Sequence, residues 1–219
     1  MTAALPVKTS RLTRCLPLLE QLARTYPHLF GEVFLPLKRG IYQDLLAAHP
    51  ETIDPELLKE ALAYHTRSTR YLNAVAAGHQ RHDLAGAAVE PMAPEHVHHA
   101  LLEVYRRRTA RAPSAATEVK TGFQTPTPDD LRAKLVNRIA AAIGASGLSR
   151  QDYADLVRSK DDNANAILDD ALAGLATRAA KDEALHHAYT ASGHTIEVFA
   201  EMYGMQPRAV AASLARIAA

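Results

Sequence analysis

The sequence predicts a mostly α-helical protein in three parts. A helical domain with one small β-hairpin occupies residues 1–112, a linker spans 113–128, and a second all-helical domain fills 129–219 and ends in a helix-turn-helix-like segment. Three observations carry this. Apolar residues recur every three or four positions through most of the chain, the spacing of one helix face. Helix start and stop residues, among them Asp54-Pro55, Gly78, Gly144 and Gly147, fall where those runs begin and end. One stretch loses the pattern: Pro113, Ser114, Thr117, Thr121, Gly122, Thr125, Pro126, Thr127 and Pro128 are linker residues.

Leu12, Leu16, Leu19 and Leu22 line a first helix, which Tyr26-Pro27 ends. An extended piece, Val33-Phe34-Leu35, leads into Pro36, and Gly40 opens a second helix to about Ala48. Asp54 supplies a side-chain acceptor at the N-cap and Pro55 a ring without an N–H at the first helical position, so a third helix starts there and runs to about Tyr64. A fourth covers roughly 66–76, and Gly78 breaks it. Residues 81–84 and 87–90, turned at Ala85-Gly86, form the hairpin. Pro94 and Glu95 then start a helix with Val97, Leu101 and Val104 on its apolar face. It ends in Arg106-Arg107-Arg108, cations suited to the negative end of the helix dipole.

Past the linker, Leu131, Leu135, Ile139 and Ile143 line one helix face, and Ser149-x-x-Asp152 is a capping box with Asp in place of Glu. Further helices fit about 150–158, 163–178, 180–191, 195–203 and 207–217.

Bulk composition narrows the function classes. Hydrophobic residues make up 47% and charged residues 22%, as in an ordinary soluble domain. Apolar runs are broken by charge well short of a membrane span, and no signal-type apolar core follows Lys8, Arg11 and Arg14. Cys15 is the single cysteine, so no intramolecular disulfide forms and a cytoplasmic setting is expected. The net charge of +1 divides unevenly, as +3 over residues 1–112 and −2 over 113–219, and eight of the eleven histidines lie in the first part. A basic half joined to a mildly acidic one places polyanion binding in the first.

Three motifs stand in order within that half. They are Pro36-Leu37-Lys38-Arg39-Gly40-Ile41-Tyr42-Gln43-Asp44-Leu45, Thr66-Arg67-Ser68-Thr69-Arg70-Tyr71-Leu72 and Arg81-His82-Asp83-Leu84-Ala85-Gly86. Each joins cations or a tyrosine to tight backbone, the mixture that holds a phosphate chain and stacks a base. Arg81, at the head of a hairpin, projects a planar fork suited to phosphate, or else pairs with Asp83 or Glu90. Arg67 and Arg70, one turn apart, share a helix face. Tyr71 either stacks on a base or packs as core beside Leu72 and Val75, and one side chain can do both. Lys38 and Arg39 precede a helix start, where free N–H groups favour an anion, or are solvated cations of an ordinary junction. Asp44 repels phosphate and is read as the orienter of a nearby Arg or the partner of a sugar hydroxyl.

Over about residues 12–108 these motifs resemble the ProQ/FinO family of RNA-binding proteins, whose pattern reads approximately PLKxGI-[FY]-QDL, S-x-RYL and R-x-DLxG. The resemblance implies a mixed helical fold with a small hairpin and the work of an RNA chaperone in post-transcriptional regulation. Its targets would be structured RNAs, small RNAs and mRNA 3′ ends, recognised as terminator-type hairpins with a single-stranded 3′ tail. A-form stems hide their base edges, so such a protein reads phosphates, 2′-hydroxyls and the free end. The implied RNA-binding residues are Lys38, Arg70, Tyr71 and Arg81 at the 3′ tail and stem base, with Arg39, Lys59, His65 and Arg67 supplying further contacts. The dipole at the Asp54-Pro55 helix start is a further place for a phosphate. The chain departs from the family at Leu35, Pro55, Ala63, His65 and Thr69, where many relatives carry basic or aromatic residues. Each lost phosphate contact flattens the salt dependence by roughly one log–log unit.

Other chemistries find less support. His96 and His99 share a helix face without a third ligand in view, so no metal site is assigned. Asp161-Asp162-Asn163 starts like a calcium loop, but Ala166 and Leu172 stand where that loop needs Gly and Glu. There is no nucleophile elbow, P-loop or dinucleotide motif, so no catalytic residue or cofactor is expected. In the last helix pair, Ala200, Gly204, Val210 and Leu214 fall at helix-turn-helix positions. Arg208 and Arg216 stand among Ala, Val and Ser, poor material for reading base edges. A structural hairpin or a surface for a protein partner is favoured over a DNA-binding regulator.

Overall fold

Eleven helices and a two-stranded antiparallel sheet make up the described residues of the computed structural model, which are 11–111 and 127–218. The expected linker at 113–128 lies outside them except for its last two residues. Those two are structured: Thr127 caps the next helix through a reciprocal pair with Asp130, and Pro128 is its first residue.

The chain forms two compact units, Met1–Ser159 and Lys160–Ala219. The first contains α1 (Arg11–Thr25), α2 (Pro27–Phe30), α3 (Ile41–Ala48), α4 (Pro55–Thr66), α5 (Thr69–Ala76), β1 (Arg81–His82), β2 (Ala88–Glu90), α6 (Pro94–Arg111), α7 (Pro128–Ala145) and α8 (Arg150–Val157). Here α1 packs along α4, with Cys15, Leu18 and Leu22 buried on one and Leu58, Ala61 and Leu62 on the other. Helix α6 is the hub, and α5, α7 and α8 all lie against it. The stripe Leu135, Ile139 and Ile143 of α7 is buried there, and Tyr153 of α8 sets its hydroxyl 3.3 Å from His98 Nδ1 of α6. The first unit thus reaches past the expected end at residue 112, because the apolar faces of α7 and α8 find their partner on α6.

Local chemistry explains the helix ends. Asp54 accepts the Leu57 N–H at 2.7 Å ahead of Pro55, as anticipated. Ser68 accepts the Tyr71 N–H at 3.2 Å and starts α5, while Arg67 is the C-cap residue of α4. This cap corrects the sequence reading: Arg67 and Arg70 flank a helix break and do not share one helical face. In the hairpin, Asp83 Oδ1 accepts the N–H groups of Ala85 and Ala87 at 3.0 and 2.9 Å, and Gly86 turns the chain at φ +79°.

The second unit holds α9 (Asp162–Ser192), α10 (Ile196–Met202) and α11 (Pro207–Ala218). Two helices were expected where α9 is one 31-residue helix. The junction Arg178-Ala179-Ala180-Lys181 consists of strong helix formers, so nothing interrupts it. Phe199, Ala200 and Val210 form its core, flanked by Leu185, Tyr189 and Leu214. Asp182 accepts hydrogen bonds from Arg216 (2.6 and 2.7 Å) and Ser213 (2.5 Å), tying α9 to α11. Those partners, Arg216 foremost, hold the Asp182 carboxyl down at about 2. Among the described residues no helix is long and apolar enough to cross a membrane.

Candidate nucleic-acid interface

The three motifs meet on a single residue. Leu37 of the first is buried, and its N–H donates to the Tyr71 hydroxyl at 3.0 Å while its carbonyl accepts from Arg81 Nη1 at 2.9 Å. The flanking backbone joins β1: Lys38 N–H donates to the His82 carbonyl (2.9 Å) and His82 N–H to the Pro36 carbonyl (2.7 Å). Arg81 pairs in turn with Glu90 across the hairpin. One residue from each of the other motifs therefore clamps the first.

The cations around this clamp are held by carboxylates. Glu90 accepts the Arg39 N–H at 3.0 Å and lies 3.5 Å from Arg39 Nε and 3.7 Å from Arg81 Nε. The last distance is an ion pair rather than a hydrogen bond, so the pairing of Arg81 with Glu90 considered from sequence is present. Lys38 Nζ sits 2.7 Å from Asp44, whose hydrogen bond raises the ammonium pKa. Asp44 thus orients a lysine, where the sequence suggested an arginine. Gly40, at φ +82°, lets the chain turn from Lys38-Arg39 straight into α3.

Beside the clamp, α5, α6 and Arg81 enclose a cleft of about 460 Å³. Arg67, Tyr71, Arg81, His96, His99 and Arg107 are among its walls. Three of these were expected from sequence and three were not. His96 Nδ1 lies 3.4 Å from Arg81 Nη2. Arg107 was read only as a dipole cation, yet it donates to the Arg67 carbonyl (2.7 Å), Thr69 Oγ1 (3.1 Å) and Glu103 (2.8 Å). It caps the end of α4 and fixes the break before α5. Among the described residues no cluster of three or more His, Cys, Asp or Glu is arranged to hold a metal ion.

Other expected residues are placed differently. The Tyr71 ring is buried, 7% exposed, and its hydroxyl is engaged by Leu37, so of the roles considered it takes the core one. Burial pushes its phenol pKa up. His65 requires a correction. It is 3% exposed, with ring centroids 4.6 Å from Phe30, 4.4 Å from Phe34 and 5.3 Å from Tyr71. Burial lowers its pKa to about 4, against an opposing bond from the Leu29 backbone. It is a neutral core histidine and offers no charge to a phosphate. Arg70 is exposed, donates to the Glu32 carbonyl and stands 4.3 Å over the Phe34 ring, a cation–π contact. Lys59 is exposed on α4. At the start of that helix Asp54 already occupies the Leu57 N–H.

Comparison with known proteins gives the family. The ProQ/FinO family model matches residues 12–117. The RNA chaperone ProQ of Shewanella pealeana is 37% identical over 124 residues, covering 51% of this chain and 58% of that protein. This chain therefore spans little more than half the length of that curated relative. The RNA chaperone ProQ of Shewanella baltica is 30% identical over 207 residues, 88% of this chain and 97% of the relative. Among solved structures, a FinO-like RNA chaperone from Neisseria meningitidis MC58 is 34% identical, covering 40% of this chain and 89% of that one with a TM-score of 0.37. With its three motifs and its near full-length match to the Shewanella baltica protein, the chain belongs to the ProQ/FinO family.

Proposed function

We propose that this protein binds structured RNA and works as an RNA chaperone in post-transcriptional regulation. Its targets are hairpins with a single-stranded 3′ tail, as at the ends of small RNAs and mRNAs. The observation that carries this is the convergence of the three motifs on Leu37, beside a cleft that Arg81 and Arg67 both line, with Lys38 and Arg39 following Leu37 in the chain. The cleft volume of about 460 Å³ suits a small ligand such as one unpaired nucleotide. Arginine forks and histidine faces there meet phosphate and base, while Lys38, Arg39, Lys59 and Arg70 on the exterior track the stem backbone.

Fluorescence anisotropy with the full chain tests the proposal. A hairpin with a U-rich 3′ tail binds more tightly than the same hairpin without it, and changing the stem sequence at constant pairing matters less. Equal loss from both changes, or equal binding to duplex DNA of the same sequence, defeats it. For the second unit, a protein partner is favoured over DNA by one observation. Asp182 engages Arg216, leaving Arg208 as the other cation of α11, whereas Met202 and Tyr203 are 60% and 59% exposed.

A further inference from the structure

Next to the cleft lies a second cavity of about 330 Å³, also inside the first unit. Met92 lines both, and the consecutive residues Val75 and Ala76 line one each, so the two abut. The far wall of the second comes from α7, which begins at Pro128, after the segment matched by the family model ends at 117. That helix contributes Arg138 together with the small side chains of Ala141 and Ala142.

The wall chemistry is specific. Arg138 Nη2 donates to the Ala76 carbonyl at 3.0 Å, which fixes the guanidinium at the end of α5. Burial works against its charge, and so does the like charge of Arg108. Arg108, Lys134 and Arg138 also come together around a small neighbouring pocket. A half-buried guanidinium among other cations is relieved by an anion. Ala76, Ala141, Ala142 and Pro94 offer a low apolar surface, and the Met92 thioether is a soft contact for an aromatic ring. A guanidinium beside a shallow apolar wall, one for phosphate and one for the base, is the making of a nucleotide subsite.

We infer that this second cavity holds one further unpaired nucleotide of the RNA tail, with its base against Met92, Ala141 and Ala142 and its phosphate on Arg138. The inference rests on the tail-binding reading of the adjacent cleft. Charge complementarity and continuity with that cleft, through Met92, select a nucleotide over an apolar peptide side chain.

The test uses the full chain and hairpin RNAs whose 3′ tails grow one uridine at a time. Wild-type affinity rises with each added uridine until both cavities are filled. Ala141→Glu sets a carboxylate in the second cavity, and Ala142→Phe fills it. Each variant abolishes the last gain, about fivefold or more in Kd for one stacked base, and leaves the shortest tailed RNA bound as by wild type. Ala141 is exposed, so Ala141→Glu keeps the test valid if Ala142→Phe disturbs packing. A photoreactive thiouridine at the last position crosslinks to Met92 or to residues 138–146. Variants that reproduce the wild-type length profile, or a crosslink confined to the Arg81 cleft, overturn the inference. If the tail adds nothing to wild-type binding, the tail-binding reading itself fails, and this inference fails with it.

Discussion

Replacing Tyr71 by Phe keeps the ring and removes the hydroxyl, which separates a positioning role from a stacking one. The Leu37 N–H that donates to that hydroxyl lies in a residue only 3% exposed, so after the change it has no acceptor and little water. A buried donor left unmet costs about 1–3 kcal/mol. For a protein of this length that corresponds to a fall in Tm of roughly 2–12 °C. The local reading is sharper: hydrogen exchange at the Leu37 amide should accelerate about 5- to 150-fold, at about 1.4 kcal/mol per factor of ten. RNA affinity should fall as well, because Lys38 and Arg39 follow directly on the released peptide. A tyrosine that served by stacking would tolerate Phe. An unchanged Leu37 protection factor together with unchanged affinity would refute the clamp.

Three further outcomes follow from the same geometry. Burial holds both His65 and His98 at about 4, below the ordinary 6.5, so the unfolded chain takes up protons that the folded one refuses. The stability they confer is therefore complete above about pH 6.5 and is lost as pH falls toward 4, on the order of 3 kcal/mol per histidine, and urea titrations across that window that show no loss would contradict it. Arg39→Ala and Lys59→Ala, both at exposed cations, should each weaken RNA binding without sequence preference and flatten the log Kd against log salt plot by about one unit; an unaltered slope removes that residue from the interface. Glu90→Gln releases Arg39 and Arg81 from their shared carboxylate, so low-salt RNA affinity should rise and the salt slope steepen, and a weaker complex with an unchanged melting curve would show that Glu90 serves the RNA directly.

Much of the fold was legible because its signals are local. Asp54-Pro55 announces a cap, and Asp83 with Gly86 announces a turn, without reference to anything distant. The motif order likewise marked Lys38, Tyr71 and Arg81, although not that Tyr71 and Arg81 both hold Leu37, the residue before Lys38. Features set by tertiary packing were hidden. His65 reads as a cation until Phe30, Phe34 and Tyr71 close around it. The partition at Ser159 depends on α7 finding α6, a pairing that no local pattern encodes. The face that His96 and His99 share continues through Glu103 and Arg107 at four-residue steps, a polar stripe on α6 legible in the sequence that lines the cleft.

The hold on Leu37 also bears on how such a protein can diverge. Its N–H and carbonyl answer to residues 34 and 44 positions further along the chain, so neither partner can be exchanged independently of the loop. A loop grafted in from a relative keeps its shape only if a compatible tyrosine and arginine travel with it. The exposed cations outside the clamp carry no such obligation. Drift in RNA preference is thus channelled to positions such as Arg39 and Lys59, while the frame that presents them is inherited whole.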